Sequence, residues 1–209
     1  MSEQRPFWNQ RAYDTLKPLS KVKHPLSAML EEWFYDGRMI DLGSPCETCE
    51  LCGKEGLKYQ FGITNSFTDE GLYVGSECIK TFNLAGIDED GHYIDHHQTK
   101  RKIQKDRNDL IKEGKQKRVL HCLMVLSKKD SEFDFEKTVG RFEEKGKFSP
   151  SELSLILWRL EKNKIKYKTN DFEVSLRRAR NKKQLQDMED WKYQKIKAAL
   201  TPTQRKLRD

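Results

Sequence analysis

The sequence predicts an α+β chain, predominantly α. A strand-like period is confined to one short stretch, Leu57 to Ile63, where apolar and polar residues alternate. Helical periodicity recurs elsewhere, most clearly after Ser149. The charge also separates along the chain. Residues 1–98 carry 9 Lys+Arg against 16 Asp+Glu, and residues 99–209 carry 31 against 17, so a net −7 precedes a net +14. The chain accordingly reads as three parts: an N-terminal arm with a short helix (1–45), a small knuckle, hairpin and helix with an acidic connector (46–98), and a basic helical region (99–209).

Residues 1–24 show no clear period and read as an irregular arm carrying Phe7, Trp8, Tyr13 and Leu16. After Pro25, the residues Leu26, Met29, Leu30, Trp33 and Phe34 fall on one helical face. Gly37, free to adopt a left-handed C′ conformation, would end that helix. Leu57–Ile63 and Leu72–Val74 form the arms of a hairpin, separated by turn formers from Asn65 to Gly71. Ser76 would cap a helix beginning near Cys78. Residues 85–97 read as an acidic loop. Residues 99–118 are strongly basic, and Gly114 kinks or ends the helix there. Phe133, Phe135, Val139 and Phe142 suggest a further short helix. Ser149-Pro150-Ser151-Glu152 combines a capping serine, a proline at the first helical position and a reciprocating glutamate. Leu153, Ile156, Leu157 and Leu160 then line one face. A long helix is expected from Phe172 to Leu200, followed by a second start signal at Thr201-Pro202-Thr203-Gln204.

Four of five cysteines crowd into residues 46–78, the pattern of a metal site rather than of a disulfide framework. Cys49-Glu50-Leu51-Cys52-Gly53 has the spacing of a zinc knuckle, and Cys78 at a helix start brings a third thiolate. Zinc takes four ligands. Cys46, three residues before Cys49, is preferred as the fourth, with His92, His96 or His97 as alternatives and Thr81 and His24 as weaker ones. The expected cofactor is one structural Zn2+ held by Cys46, Cys49, Cys52 and Cys78. Cys122, alone in an apolar run, reads as a buried small hydrophobe.

The stretch from Cys49 to Phe82, with CxxCG, a strand reading Ile63-Thr64-Asn65 and then Val74-Gly75-Ser76-Glu77-Cys78-Ile79, resembles zinc-finger-like, treble-clef-like segments in uncharacterised proteins of bacteriophages, prophages and large DNA viruses. The match covers about 45 of the 209 residues. It implies metal-binding roles for Cys49, Cys52 and Cys78, a phage-type viral protein and a host-cell cytoplasmic location. It implies no activity.

No apolar run approaches the ~20 residues that cross a bilayer. The first residues lack a secretory signal pattern, so the expected location is the cytoplasm. No Walker A, Rossmann, HExxH or GxSxG motif occurs, and Pro45-Cys46-Glu47-Thr48-Cys49 lacks the HxE partner of a deaminase. No enzymatic site and no small-molecule substrate are expected, a nuclease built on scattered acids being the weakest alternative. The favoured function is an accessory protein that binds nucleic acid, DNA or RNA, through its basic half. The expected phosphate contacts are Arg101, Lys102, Lys105, Arg177, Arg178, Arg180, Lys182 and Lys183. Trp158, Tyr167 and Trp191 could stack on bases, but their helical spacing favours core positions. The alternative is a regulator or inhibitor that binds a host protein.

Overall fold

The computed structural model describes residues 4–208. It is mixed α+β and predominantly α, with one five-stranded sheet. The chain divides into two compact units, Met1–Ile111 and Lys112–Asp209. No helix among the described residues is long and apolar enough to cross a membrane.

The first unit opens with α1 (Gln4–Leu19), where an irregular arm was expected. Ala12 and Leu16 are fully buried, with Trp8 and Leu19 packed beside them. These residues form a helical stripe that the sequence reading missed, one of its members being an alanine. α2 (Leu26–Leu30) stops short, and Trp33–Asp41 forms strand β1 instead of continuing the helix. Three successive aromatics favour a pleated surface, and the alternating Trp33 and Tyr35 are the buried pair. Gly37 is thus not a helix stop. Its φ of +86° lies inside β1, where the register slips between Tyr35 and Met39, the kind of bulge for which glycine is suited.

β1 pairs antiparallel with β2 (Tyr59–Asn65), which pairs antiparallel with β3 (Gly71–Val74). Asn65 closes the β2–β3 turn, its side-chain oxygen accepting from the amides of Phe67 and Thr68. α3 (Ser76–Thr81) follows directly, with Gly75 rather than Ser76 at the N-cap and no side-chain cap. The expected acidic loop holds two short strands, β4 (Ala85–Ile87) and β5 (Tyr93–Ile94), giving the order β3-β2-β1-β4-β5 with β4 parallel to β1.

α4 (His96–Lys129) runs through Gly114 without a break and carries the division between the units. It contributes Ile103 to the first core and Val119, Leu123 and Leu126 to the second. In the second unit, α5 (Phe135–Lys145) and α6 (Pro150–Lys162) match their sequence signals, and the Ser149–Glu152 capping box is formed. The single helix expected from Phe172 to Leu200 is broken. Phe172, Val174 and Leu176 alternate inward on extended backbone, and Val174 bridges Phe148 in parallel. Only then come α7 (Ala179–Gln186) and α8 (Asp190–Ile196), with α9 (Pro202–Arg205) started by the Thr201–Gln204 capping box.

Glu32 knits the first unit together. Its buried carboxylate accepts from the amides of Lys21 (2.8 Å) and Val22 (2.7 Å) and from Asn65 Nδ2 (2.9 Å). Burial pushes the carboxyl pKa up, but the hydrogen bonds from Asn65, Val22 and Lys21 outweigh it and hold the group below the ordinary 4.5. Its stabilisation is therefore fully present above pH 4.5 and is lost as pH falls through the lower, folded-state value. Glu32→Ala leaves three donors without their acceptor and should cost about 2–3 kcal/mol. Urea unfolding at pH 7 measures this, and the gap between wild type and variant should narrow as the buffer is taken below pH 4.

Candidate functional site

The sequence-predicted metal ligands are partly gathered. Cys49 and Cys52 sit on a turn closed by Cys49 N–H to Lys54 O (2.9 Å) and Gly53 N–H to Cys49 O (2.7 Å). Gly53 takes φ +69° there, a backbone conformation that other residues rarely adopt. The β2–β3 hairpin returns the chain so that Cys78, in the first turn of α3, faces this turn. The three sulfur atoms lie within 4.8 Å of one another, all buried. The Cys49 and Cys78 sulfurs are 3.6 Å apart. A tetrahedral ion with metal–sulfur bonds of about 2.3 Å requires sulfurs about 3.8 Å apart, so the donor set fits and could hold a metal ion.

The backbone is arranged for an anion at Cys49. The Gly75 amide donates to Cys49 Sγ (3.3 Å). The hydrogen bond from Cys78, together with the amides of Gly75, Cys52 and Leu51, brings the Cys49 pKa down to about 5 against the opposing effect of burial. The Cys78 thiol is pushed up, first by its hydrogen bond to Cys49 and then by burial. Burial likewise raises Cys52. A bound cation would relieve the repulsion that keeps these protons in place.

Cys46 is not brought into the group. It is exposed, its amide donates to Leu57 O (3.3 Å), and the adjoining Glu47–Leu57 bridge fixes the strand-like backbone on which it lies. Among the described residues no further Cys, His, Asp or Glu joins the three. His24 is bonded to Tyr13, His92 pairs with Asp88, and His96 stacks on His97. The three cysteines instead share a cavity of about 180 Å3 with Trp8, Tyr59, Phe61 and Arg107. A separate exposed group, Asp88, Asp90 and His92, is accounted for by its turn, in which Asp88 Oδ1 accepts from the amides of Asp90 and His92. Cys122 is buried in the second core.

The sequence-predicted basic residues divide. Arg101, Lys102 and Lys105 belong to the first unit. Lys102 is half-buried and paired with Asp106 (3.2 Å), and Lys105 is paired with Glu89 (2.7 Å). These two lysines serve the fold locally. In the second unit, Arg177, Arg178 and Arg180 are exposed and line one groove of about 570 Å3. Three basic residues not singled out from the sequence, Arg141, Lys145 and Lys147, line the same groove, as do Glu144 and Glu152. Those three have carboxylate partners in Glu152, Glu144 and Glu173. Among the described residues no ion pair engages Arg177, Arg178 or Arg180. Lys182 and Lys183 are exposed on α7, Lys183 lining an adjoining groove. The signal for Arg141, Lys145 and Lys147 was the basic content of α5 and its exit, lost beside the denser arginine run.

The expectation that the tryptophans are core residues is overturned for two of them. Trp158 is 40% exposed and Trp191 52% exposed, whereas Tyr167 packs against the second core. Trp158 follows the fully buried Leu157, and successive helical residues point about 100° apart. Trp191 sits two positions before the buried Tyr193, on the opposite side of α8.

Compared with family models, curated proteins and solved structures, the chain matches none of them.

Replacing a residue of the gathered set should abolish metal binding. Cys49→Ser or Cys78→Ser should retain well under half an equivalent of metal by elemental analysis and should expose the first unit to proteolysis, because metal binding supplies folding energy in small cysteine-rich units. Cys46→Ser and Cys122→Ser should keep close to one equivalent. Loss of metal on replacing Cys46 would overturn the three-cysteine assignment.

Proposed function

We propose that this chain is a zinc-stabilised nucleic-acid-binding protein. In this reading zinc joins Cys49, Cys52 and Cys78 in the first unit, and the second unit grips the phosphate backbone. The observation that carries the reading is the cationic groove, where Arg177, Arg178 and Arg180, free of carboxylate partners among the described residues, share one lining with Arg141, Lys145 and Lys147. Guanidinium groups present paired donors that match phosphate oxygens. α7 begins at the same place, with Arg178 as its N-cap and no side chain capping its first amides. Its N-terminal dipole adds to the attraction for an anion. Zinc is preferred over other divalent ions because three thiolates form a soft donor set suited to tetrahedral coordination. The ion's role here is cohesion of the first unit.

Phosphate-dominated binding has a measurable signature. Affinity should fall steeply with salt, with log K linear in log salt concentration. The triple variant Arg177→Ala/Arg178→Ala/Arg180→Ala should bind more weakly on every sequence tried and should flatten the slope by roughly 2–3, about one for each lost phosphate contact. Lys102→Ala/Lys105→Ala should change the slope much less, since both side chains are committed to carboxylates. Titrations between ~50 and ~300 mM salt span the screening regime. Equal slopes for wild type and triple variant would sink the proposal.

A further inference from the structure

A second groove adjoins the cationic one and differs from it in chemistry. It measures about 950 Å3 and is lined by Leu155 and Trp158 of α6, Lys183 of α7, and Met188, Trp191 and Lys192 toward α8. Two exposed indoles line this groove, and each has a lysine beside its ring. Trp191 Nε1 donates to Glu189 Oε2 (2.6 Å), and Lys192 Nζ lies 5.1 Å from the Trp191 ring centre. Lys162 Nζ lies 5.2 Å from the Trp158 ring centre. The indole rings are thus cation-flanked rather than folded into the core. Arg180 and Gln184 line both grooves, so the two adjoin. Gln184 Oε1 is buried there without a hydrogen-bond partner among the described residues.

We propose that the second unit selects single-stranded nucleic acid. The backbone phosphates occupy the groove of Arg177, Arg178 and Arg180, and the bases turn into the adjoining groove and stack on Trp158 and Trp191. The proposal rests on the nucleic-acid reading above and adds the strandedness of the ligand and the residues that recognise it. The reason is geometric. An aromatic ring can stack only on a base whose face is free, and duplex bases are already stacked on their neighbours. A phosphate track beside an aromatic platform is the arrangement that sequence-tolerant single-strand binders use. Charge complementarity favours this occupant, because Arg180, Lys183 and Lys192 border the aromatic groove beside Asp187 and Glu189, and Arg180 borders the phosphate groove as well.

The test measures fluorescence anisotropy with a labelled oligothymidine of about 12 nucleotides, a length within the usual single-strand site range, and with a duplex of equal length, each at several salt concentrations between ~50 and ~300 mM. Four proteins are compared: wild type, Trp158→Ala/Trp191→Ala, Trp158→Phe/Trp191→Phe, and the triple arginine variant. Circular dichroism confirms folding, which both surface tryptophan replacements should preserve. Wild type should bind the single strand at least tenfold more tightly than the duplex. The alanine pair should lose roughly 5- to 150-fold for each stacked base on the single strand, keep the wild-type salt slope and leave duplex binding unchanged. The phenylalanine pair should recover most of the loss. If wild type binds both forms equally and the alanine pair matches it, stacking is overturned while the phosphate reading stands. If wild type binds neither form, the nucleic-acid reading fails and this inference with it. If the alanine pair instead changes the oligomeric state in sedimentation without changing oligonucleotide affinity, the groove is an interface between copies of this chain and the inference is overturned.

Discussion

The first unit is organised around the encounter of a turn and a helix end. Cys49 and Cys52 lie before the β2–β3 hairpin and Cys78 lies after it, so the hairpin's length and register decide whether the sulfurs can meet. Phe61 pairs with Val74 across the hairpin, and Val74 is followed at once by Gly75, whose amide reaches Cys49 Sγ. A slip of one residue in this pairing would turn every side chain of the strand to the opposite face and carry that amide away from its sulfur. Much of the remaining unit supports this registration. α1 packs Ala12 and Leu16 into the same core as the cysteines, and Glu32 ties the chain between α1 and α2 to the far end of the hairpin through Asn65. The cysteine cluster and the sheet are therefore one construction.

The parts of this fold that were legible in the sequence are those whose signals are local and chemically distinctive. The Ser149 and Thr201 capping boxes need only four residues each, and both form. The hairpin and the CxxCG turn were legible for the same reason. Other segments failed where two periods overlapped. Leu26, Met29, Leu30, Trp33 and Phe34 satisfy a helical period, while Trp33 and Tyr35 satisfy a strand period, and pairing with β2 decided between them. From Phe172 the helical reading hid an alternation of Phe172, Val174 and Leu176 that the bridge to Phe148 uses. Cys46 shows a different limit. Its nearness in sequence to Cys49 suggested a shared ion, but three residues of extended chain are enough to direct a side chain elsewhere. The arginine cluster was legible, but its partners on α5 were not, since nothing local says that residues 141–147 will meet residues 177–180.

The two units divide the chemistry between them. The first concentrates buried sulfur and a small sheet, and two of its basic side chains on α4, Lys102 and Lys105, are occupied by neighbouring carboxylates. The second has a wholly different core, made from helices and one extended segment. It leaves its cations and two tryptophans facing outward. Charge asymmetry along a chain becomes informative only after local ion pairs are subtracted. Arg118 and Arg159, equally basic in sequence, are taken up by Asp171 and Asp130.

The bridge between Phe148 and Val174 has a consequence for how this protein can vary. Ser175 N–H bonds to Phe148 O and Phe148 N–H to Glu173 O, so two distant stretches are laid side by side with Lys147 on one and Arg177 on the other. The connection leading into this segment, residues 163–168, packs Ile165 and Tyr167 against the core, but at its exposed positions, Lys164, Lys166 and Lys168, it can lengthen, because a longer connection costs only slowly growing closure entropy. The three residues between Val174 and Arg178 have no such freedom. An insertion there would rotate the arginines away from the groove and would also pull Leu176 out of the core. Among relatives of this chain, length differences should therefore gather before residue 169 and be absent between 174 and 180, a pattern of tolerated indels set by backbone pairing rather than by the charged side chains themselves.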